Sequence, residues 1–131
     1  MPIAPLVVSK IRDIFPYRPS IEYTQLHIFL DILFLSRVGM TFTISDVYEC
    51  VRISSIVASN SSSHDYLTLT QIVTGALLIA RKYRDDYKYN LRSFVNLCGG
   101  RIEDIRDIER RVLIAIDHHV PRTHVLTMII D

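Results

Sequence analysis

A chain of 131 residues fits one domain, and with 49% of those residues apolar it can build a single core without a second one. Its 15 Lys and Arg against 14 Asp and Glu leave no large net charge to advertise nucleic acid or an anionic membrane as a partner. Cys50 and Cys98 are too few for a disulfide framework and lack paired CxxC spacing, Leu6-Val7-Val8 is too short for a signal-peptide core, and no apolar run approaches the roughly 18 residues of a membrane span, so the chain reads as soluble and intracellular, cytoplasmic or nuclear.

The first predicted element runs from Leu6 to Phe15, with Val7, Ile11, Ile14 and Phe15 on one helical face, and stops at Pro16. From Tyr23 to Val38 the positions Leu26, Phe29, Leu30, Leu33 and Phe34 repeat at three and four, the period of an amphipathic helix, with Gly39 as its stop. Thr41 to Ser59 is ambiguous, because Thr41-Phe-Thr-Ile-Ser alternates like a strand while Ile44, Val47, Val51 and Ala58 suit a helix. Helix is preferred, on length and for want of a strand to pair with. Ser59 to Asp65 is a polar run that reads as a loop, and the sequon Asn60-Ser61-Ser62 within it has no secretory context.

Leu67 to Asp86 follows, with Leu69, Ile72, Val73, Ala76, Leu77, Leu78, Ile79 and Ala80 covering the whole helical circumference. A helix apolar on nearly every face belongs inside its domain. Asn90 can cap a short helix containing Leu91, Phe94, Val95 and Leu97, closed by Gly99-Gly100. The last long helix spans Ile102 to about His118, with Ile105, Ile108, Val112, Leu113 and Ile116 as its buried stripe, and Pro121 blocks its continuation. The tail from Val125 to Ile130 is apolar enough for one more turn.

The chemistry-bearing residues are few. His118-His119 with His124 would suggest metal, but adjacent histidines point to different sides of a helix and no other ligands complete a set. There is no Ser-His-Asp order, P-loop, nucleotide-type glycine pattern or HExxH motif. Neither a metal, a cofactor nor a small-molecule substrate is therefore expected. Glu103, Asp104 and Asp107 are explained by a solvated face and by the helix dipole, which favours negative charge at an N-terminus. Lys82 and Glu109 differ, since each follows residues that must be buried and so is expected at the rim of an apolar surface. Such a pair suits recognition, the Lys supplying donors and the Glu acceptors to a partner's helix end. The alternative is an intramolecular surface ion pair, which would contribute only about 0 to 1 kcal/mol.

Two stretches resemble a known family. Ala76-Leu-Leu-Ile-Ala-Arg-Lys82-Tyr-Arg-Asp-Asp86 is similar to the Ala-Ser-Lys-aromatic-acidic signature on the third helix of the cyclin box. Leu97-Cys-Gly-Gly100 with Asp107-Ile-Glu109-Arg-Arg-Val-Leu113 is similar to that module's fifth helix. The likeness covers roughly Tyr23 to Val120, and the Asp85-Asp86 and Gly99-Gly100 doublets look most like single-box cyclins of the phosphate-regulon and cyclin Y types. It implies an all-α fold: a short N-terminal helix and linker over 1–20, a five-helix cyclin box over 21–120 and a tail over 121–131.

The same resemblance implies a regulatory subunit without catalysis of its own, which binds and activates a cyclin-dependent protein kinase. Lys82 and Glu109 would then be the charged pair that engages backbone groups around the kinase's regulatory helix, with Tyr83, Ile79 and Leu113 supplying apolar contact. His118 stands where many members carry an aromatic residue, and Arg81 replaces the usual Ser, setting a long cation beside Lys82. The segment Tyr23-Thr-Gln-Leu-His-Ile-Phe-Leu lacks the Met-Arg-Ala-Ile-Leu patch and Trp with which cell-cycle cyclins recruit substrates. The rival readings are a cyclin-like helical module of a transcription factor, binding protein or DNA, and a small helical enzyme. Near-neutral charge argues against DNA, and the missing acid-base constellations argue against an enzyme.

Overall fold

A computed structural model describes residues 3–36, 42–59, 67–84 and 101–117, and among these it contains five α-helices and no strand. They are α1 (Ile3–Ile14), α2 (Ser20–Leu35), α3 (Ile44–Ser59), α4 (Leu69–Arg84) and α5 (Ile102–Asp117). The all-α expectation therefore holds. The short helix expected after Asn90, the 60–66 part of the polar loop, the expected stop at Gly39 and the tail lie outside the described residues.

Local chemistry explains most of the boundaries. Pro5 is tolerated in the first turn of α1, where its missing N–H would have had no helical partner, and α1 closes before Pro16 with the Phe15 amide donating to Ile11 at 2.8 Å. α2 ends at Leu35, three residues short of the periodicity's reach. The cause is Ser36, which turns extended and donates both its amide (3.1 Å) and its hydroxyl (2.6 Å) to the Leu33 carbonyl.

Three helices open on reciprocal or half-reciprocal caps. Before α3 the Thr43 amide donates to Asp46 Oδ2 at 2.8 Å and the Asp46 amide to Thr43 Oγ1 at 3.3 Å. Thr68 and Gln71 repeat the exchange before α4, at 3.0 and 3.2 Å. Before α5, the Arg101 amide donates to Asp104 Oδ2 at 3.2 Å. The strand-like alternation around Thr43 is thus the lead-in to a capping box, and α3 is a helix.

The cap also sets the face that α3 buries. Val47, Cys50, Ile53 and Val57 turn inward, while Ile44 is 59% exposed and Val51 and Ala58 are only half-buried. Of the four residues whose spacing suited a helix, Val47 alone is buried.

α4 is the central rod. Ile72, Val73, Ala76, Leu77, Leu78 and Ile79 are at or below 1% exposure, and α2, α3 and α5 all pack on it. α5 comes so close that a Cβ on Gly75 would stand 2.6 Å from Val112 Cγ2, an approach that only glycine permits. α1 packs on α2 and α3, adding Val7, Val8, Ile11 and Phe15 to the same core.

A polar joint fastens the α1–α2 corner to the start of α4. Arg18 Nη1 donates to the Leu67 carbonyl at 2.8 Å and to Glu22 Oε1 at 3.2 Å, and that same Glu22 oxygen accepts the Leu69 amide at 2.9 Å. A carboxylate on an orphan N–H at a helix start is favoured by the helix dipole as well as by the hydrogen bond. Tyr23 completes the corner, donating its hydroxyl to the Phe15 carbonyl and accepting the Arg18 amide at 3.3 Å, with the Arg12 guanidinium 4.6 Å over its ring.

Candidate functional site

Apart from His118, the residues singled out by sequence fall on two helices that touch, α4 and α5. Lys82 and Tyr83 belong to the last turn of α4, and their side chains lie outside the described part, as does the whole of His118. Glu109 is on α5, one turn before the Val112 that meets Gly75.

Glu109 does not stand at an exposed rim. It is 6% exposed and shares the inward stripe of Ile105, Val112 and Ile116, so the expectation of a freely presented carboxylate is corrected. Positions 105, 109, 112 and 116 follow helical spacing, so the sequence pattern itself sets Glu109 on the buried stripe and not at its rim. A carboxylate so enclosed keeps its place through polar contacts, because desolvation without them would cost several kcal/mol.

Ile79 is likewise corrected. At 0% exposure it is a core residue of α4 rather than part of a docking surface. Leu113 keeps a half-buried position packed against the core, with Ile114 beside it 51% exposed, so the flank of α5 retains some apolar surface.

Arg81 also turns inward. It is 9% exposed, with its guanidinium carbon 5.8 Å from the centre of the Phe42 ring, and Phe42 in turn meets Phe34 edge-on at 6.5 Å and 85°. The long cation beside Lys82 is therefore spent within the fold and not displayed beside it. Arg81 is unusual at its position in the motif, but no local pattern pairs it with a ring 39 positions earlier.

A separate apolar groove of about 450 Å³ runs between α2, α4 and α5, lined by Gln25, Ile28, Ile32, Thr74, Ile105 and Ile108 among others. It occupies the outer side of α2, where Ile21, Ile28, Ile32 and Leu35 are all more than half exposed. Among the described residues its walls carry no charged side chain.

Among the described residues no three or more His, Cys, Asp or Glu side chains gather in a way that could hold a metal ion. Cys50 is buried, its thiol 3.8 Å from the Val73 carbonyl, and burial pushes its pKa from 9.0 up to about 12, so it is a poor nucleophile. No described helix is long and apolar enough to cross a membrane. Comparison with family models, curated proteins and solved structures finds no match for the chain.

Proposed function

We propose that this chain is a non-catalytic regulatory subunit that binds a cyclin-dependent protein kinase and favours its active state. One observation carries the reading: the two helices bearing the cyclin-like motifs pack directly on each other, drawn together at Gly75 and Val112. Their charged residues thus belong to one rigid unit, the last turn of α4 with Lys82 and the adjoining α5 with Glu109.

Roles follow from burial. Lys82 is the residue proposed to donate to carbonyls at the kinase's regulatory helix, as the resemblance implies. Glu109, being enclosed, is proposed to support the pairing of α4 and α5 from within, and Leu113, half-buried against the core, to add apolar contact, with Tyr83 as the resemblance implies. A kinase holds ATP phosphates correctly only when its helix Glu reaches its strand Lys. A subunit that binds only the inward position of that helix shifts the equilibrium toward activity by its differential affinity.

Binding and kinase activity of Lys82→Ala and Glu109→Gln, measured against the native chain with each cyclin-dependent kinase of the source cell, test the reading. Lys82→Ala is expected to lose on the order of 2 kcal/mol of binding with an unchanged melting temperature. Equal binding by the native chain and Lys82→Ala overturns the assignment of Lys82. Failure of the native chain to bind or activate any of the kinases overturns the regulatory reading itself.

A further inference from the structure

Arg81 is a buried cation, 9% exposed. It lies in the last turn of α4, Phe42 lies one residue before the Thr43 cap of α3, and Phe34 lies in the last turn of α2. Guanidinium over ring and ring against ring, at 5.8 and 6.5 Å, therefore join three elements at one end of the fold. Both contact geometries are ordinary attractive ones for a cation on a π face and for an edge-to-face aromatic pair.

The end of a helix is where it frays, since the last carbonyls have no helical partner. A side chain locked in that turn fixes the turn's rotation about the helix axis. Its neighbour in sequence is fixed with it, because successive side chains leave an α-helix about 100° apart. Lys82 is the next residue after Arg81.

We infer that Arg81 is a positioning residue, which through Phe42 and Phe34 holds the last turn of α4 in the orientation from which Lys82 meets its kinase. This rests on the regulatory reading given above. Arg81 itself touches no partner: its cation is used up inside the chain, and its effect on binding passes through the backbone it restrains.

The test pairs two measurements on the full chain, hydrogen exchange of the amides of residues 81–84 and affinity for the source cell's cyclin-dependent kinases, expressed and tried one by one. Arg81→Met and Phe42→Leu are each expected to speed exchange in that turn and to weaken kinase binding, both by about tenfold. Arg81→Lys, which keeps a cation, and Phe42→Tyr, which keeps a ring, should recover most of both. Lys82→Ala should lower affinity while leaving exchange as it was. A helix end equally protected in Arg81→Met and Phe42→Leu overturns the inference, and so does a loosened end that binds kinase as tightly as the native chain. If no kinase binds the native chain, the regulatory reading fails and the positioning role with it. Exchange unaltered in Arg81→Met while Lys82→Ala still weakens binding rejects the positioning role alone.

Discussion

Cys50 shows how far a single side chain can report on the whole fold. The folded chain keeps its thiol protonated up to about pH 12, mainly through burial and against a smaller opposing effect of the Ser54 contact, whereas an unfolded chain releases that proton near 9.0. Because the folded pKa is the higher one, the associated stability is complete below about pH 9 and falls as pH rises toward 12. For one proton the slope is at most about 1.4 kcal/mol per pH unit. Urea midpoints of the native chain should therefore drop more steeply between pH 9 and 11 than those of Cys50→Ala, in which the lysines and tyrosines titrate as before. Parallel curves would show that Cys50 is not enclosed. Gly75 makes a second test. An added methyl would gain roughly up to 1 kcal/mol of helix propensity but meet a stiff β-branched neighbour at 2.6 Å, so Gly75→Ala is expected to destabilise by about 1 to 3 kcal/mol in urea. Glu109 makes a third. Glu109→Ala should destabilise by about 1 to 3 kcal/mol by leaving buried polar groups unsatisfied, and Glu109→Gln by less, as read by thermal melting.

At the scale of the element, α2 is informative because it is apolar on two opposite sides. Tyr23, Leu26, Leu30 and Leu33 face the core, and Ile21, Ile28, Ile32 and Leu35 face out. Leu30→Ala, at 0% exposure, is expected to cost about 2 to 5 kcal/mol, and Ile32→Ala, at 51%, no more than about 1. Chemical denaturation of the two variants checks this, and similar losses for both would mean that the outer side is covered. The sequence disclosed α2 through its three-and-four spacing, and disclosed α4 through an apolar circumference that only a central helix can have. It disclosed the start of α3 less well, because alternation at Thr41 to Ser45 looked like a strand. The signal that decides the matter was present in Thr43-x-x-Asp46, a box whose carboxylate and hydroxyl exchange hydrogen bonds with the opposite amides. The site was less legible than the fold. Burial of Glu109 follows from its place on the α5 stripe, but the stacking of Arg81 on Phe42 depends on a tertiary approach between elements far apart in the chain. No local pattern encodes that.

For the molecule as a whole, the Arg18 and Glu22 joint matters because it links the beginning of the chain to its central helix. Arg18→Ala frees the Leu67 carbonyl and leaves Glu22 to hold the Leu69 amide alone, so a loss of about 1 to 2 kcal/mol is expected on thermal melting. The Arg18→Ala, Glu22→Gln pair should be less than additive, since both act on the same corner. An expected domain beginning near Tyr23 invites treating everything before Ser20 as a detachable leader. Yet Val7, Val8, Ile11 and Phe15 are enclosed by α2 and α3, and Tyr23 is anchored to Phe15. Trimming the protein to start at Ser20 would strip an oily strip bare and cut the Arg18 brace on the central rod. Such a shortened version should clump on purification, and anyone seeking its partner would do better to keep those first nineteen residues in place.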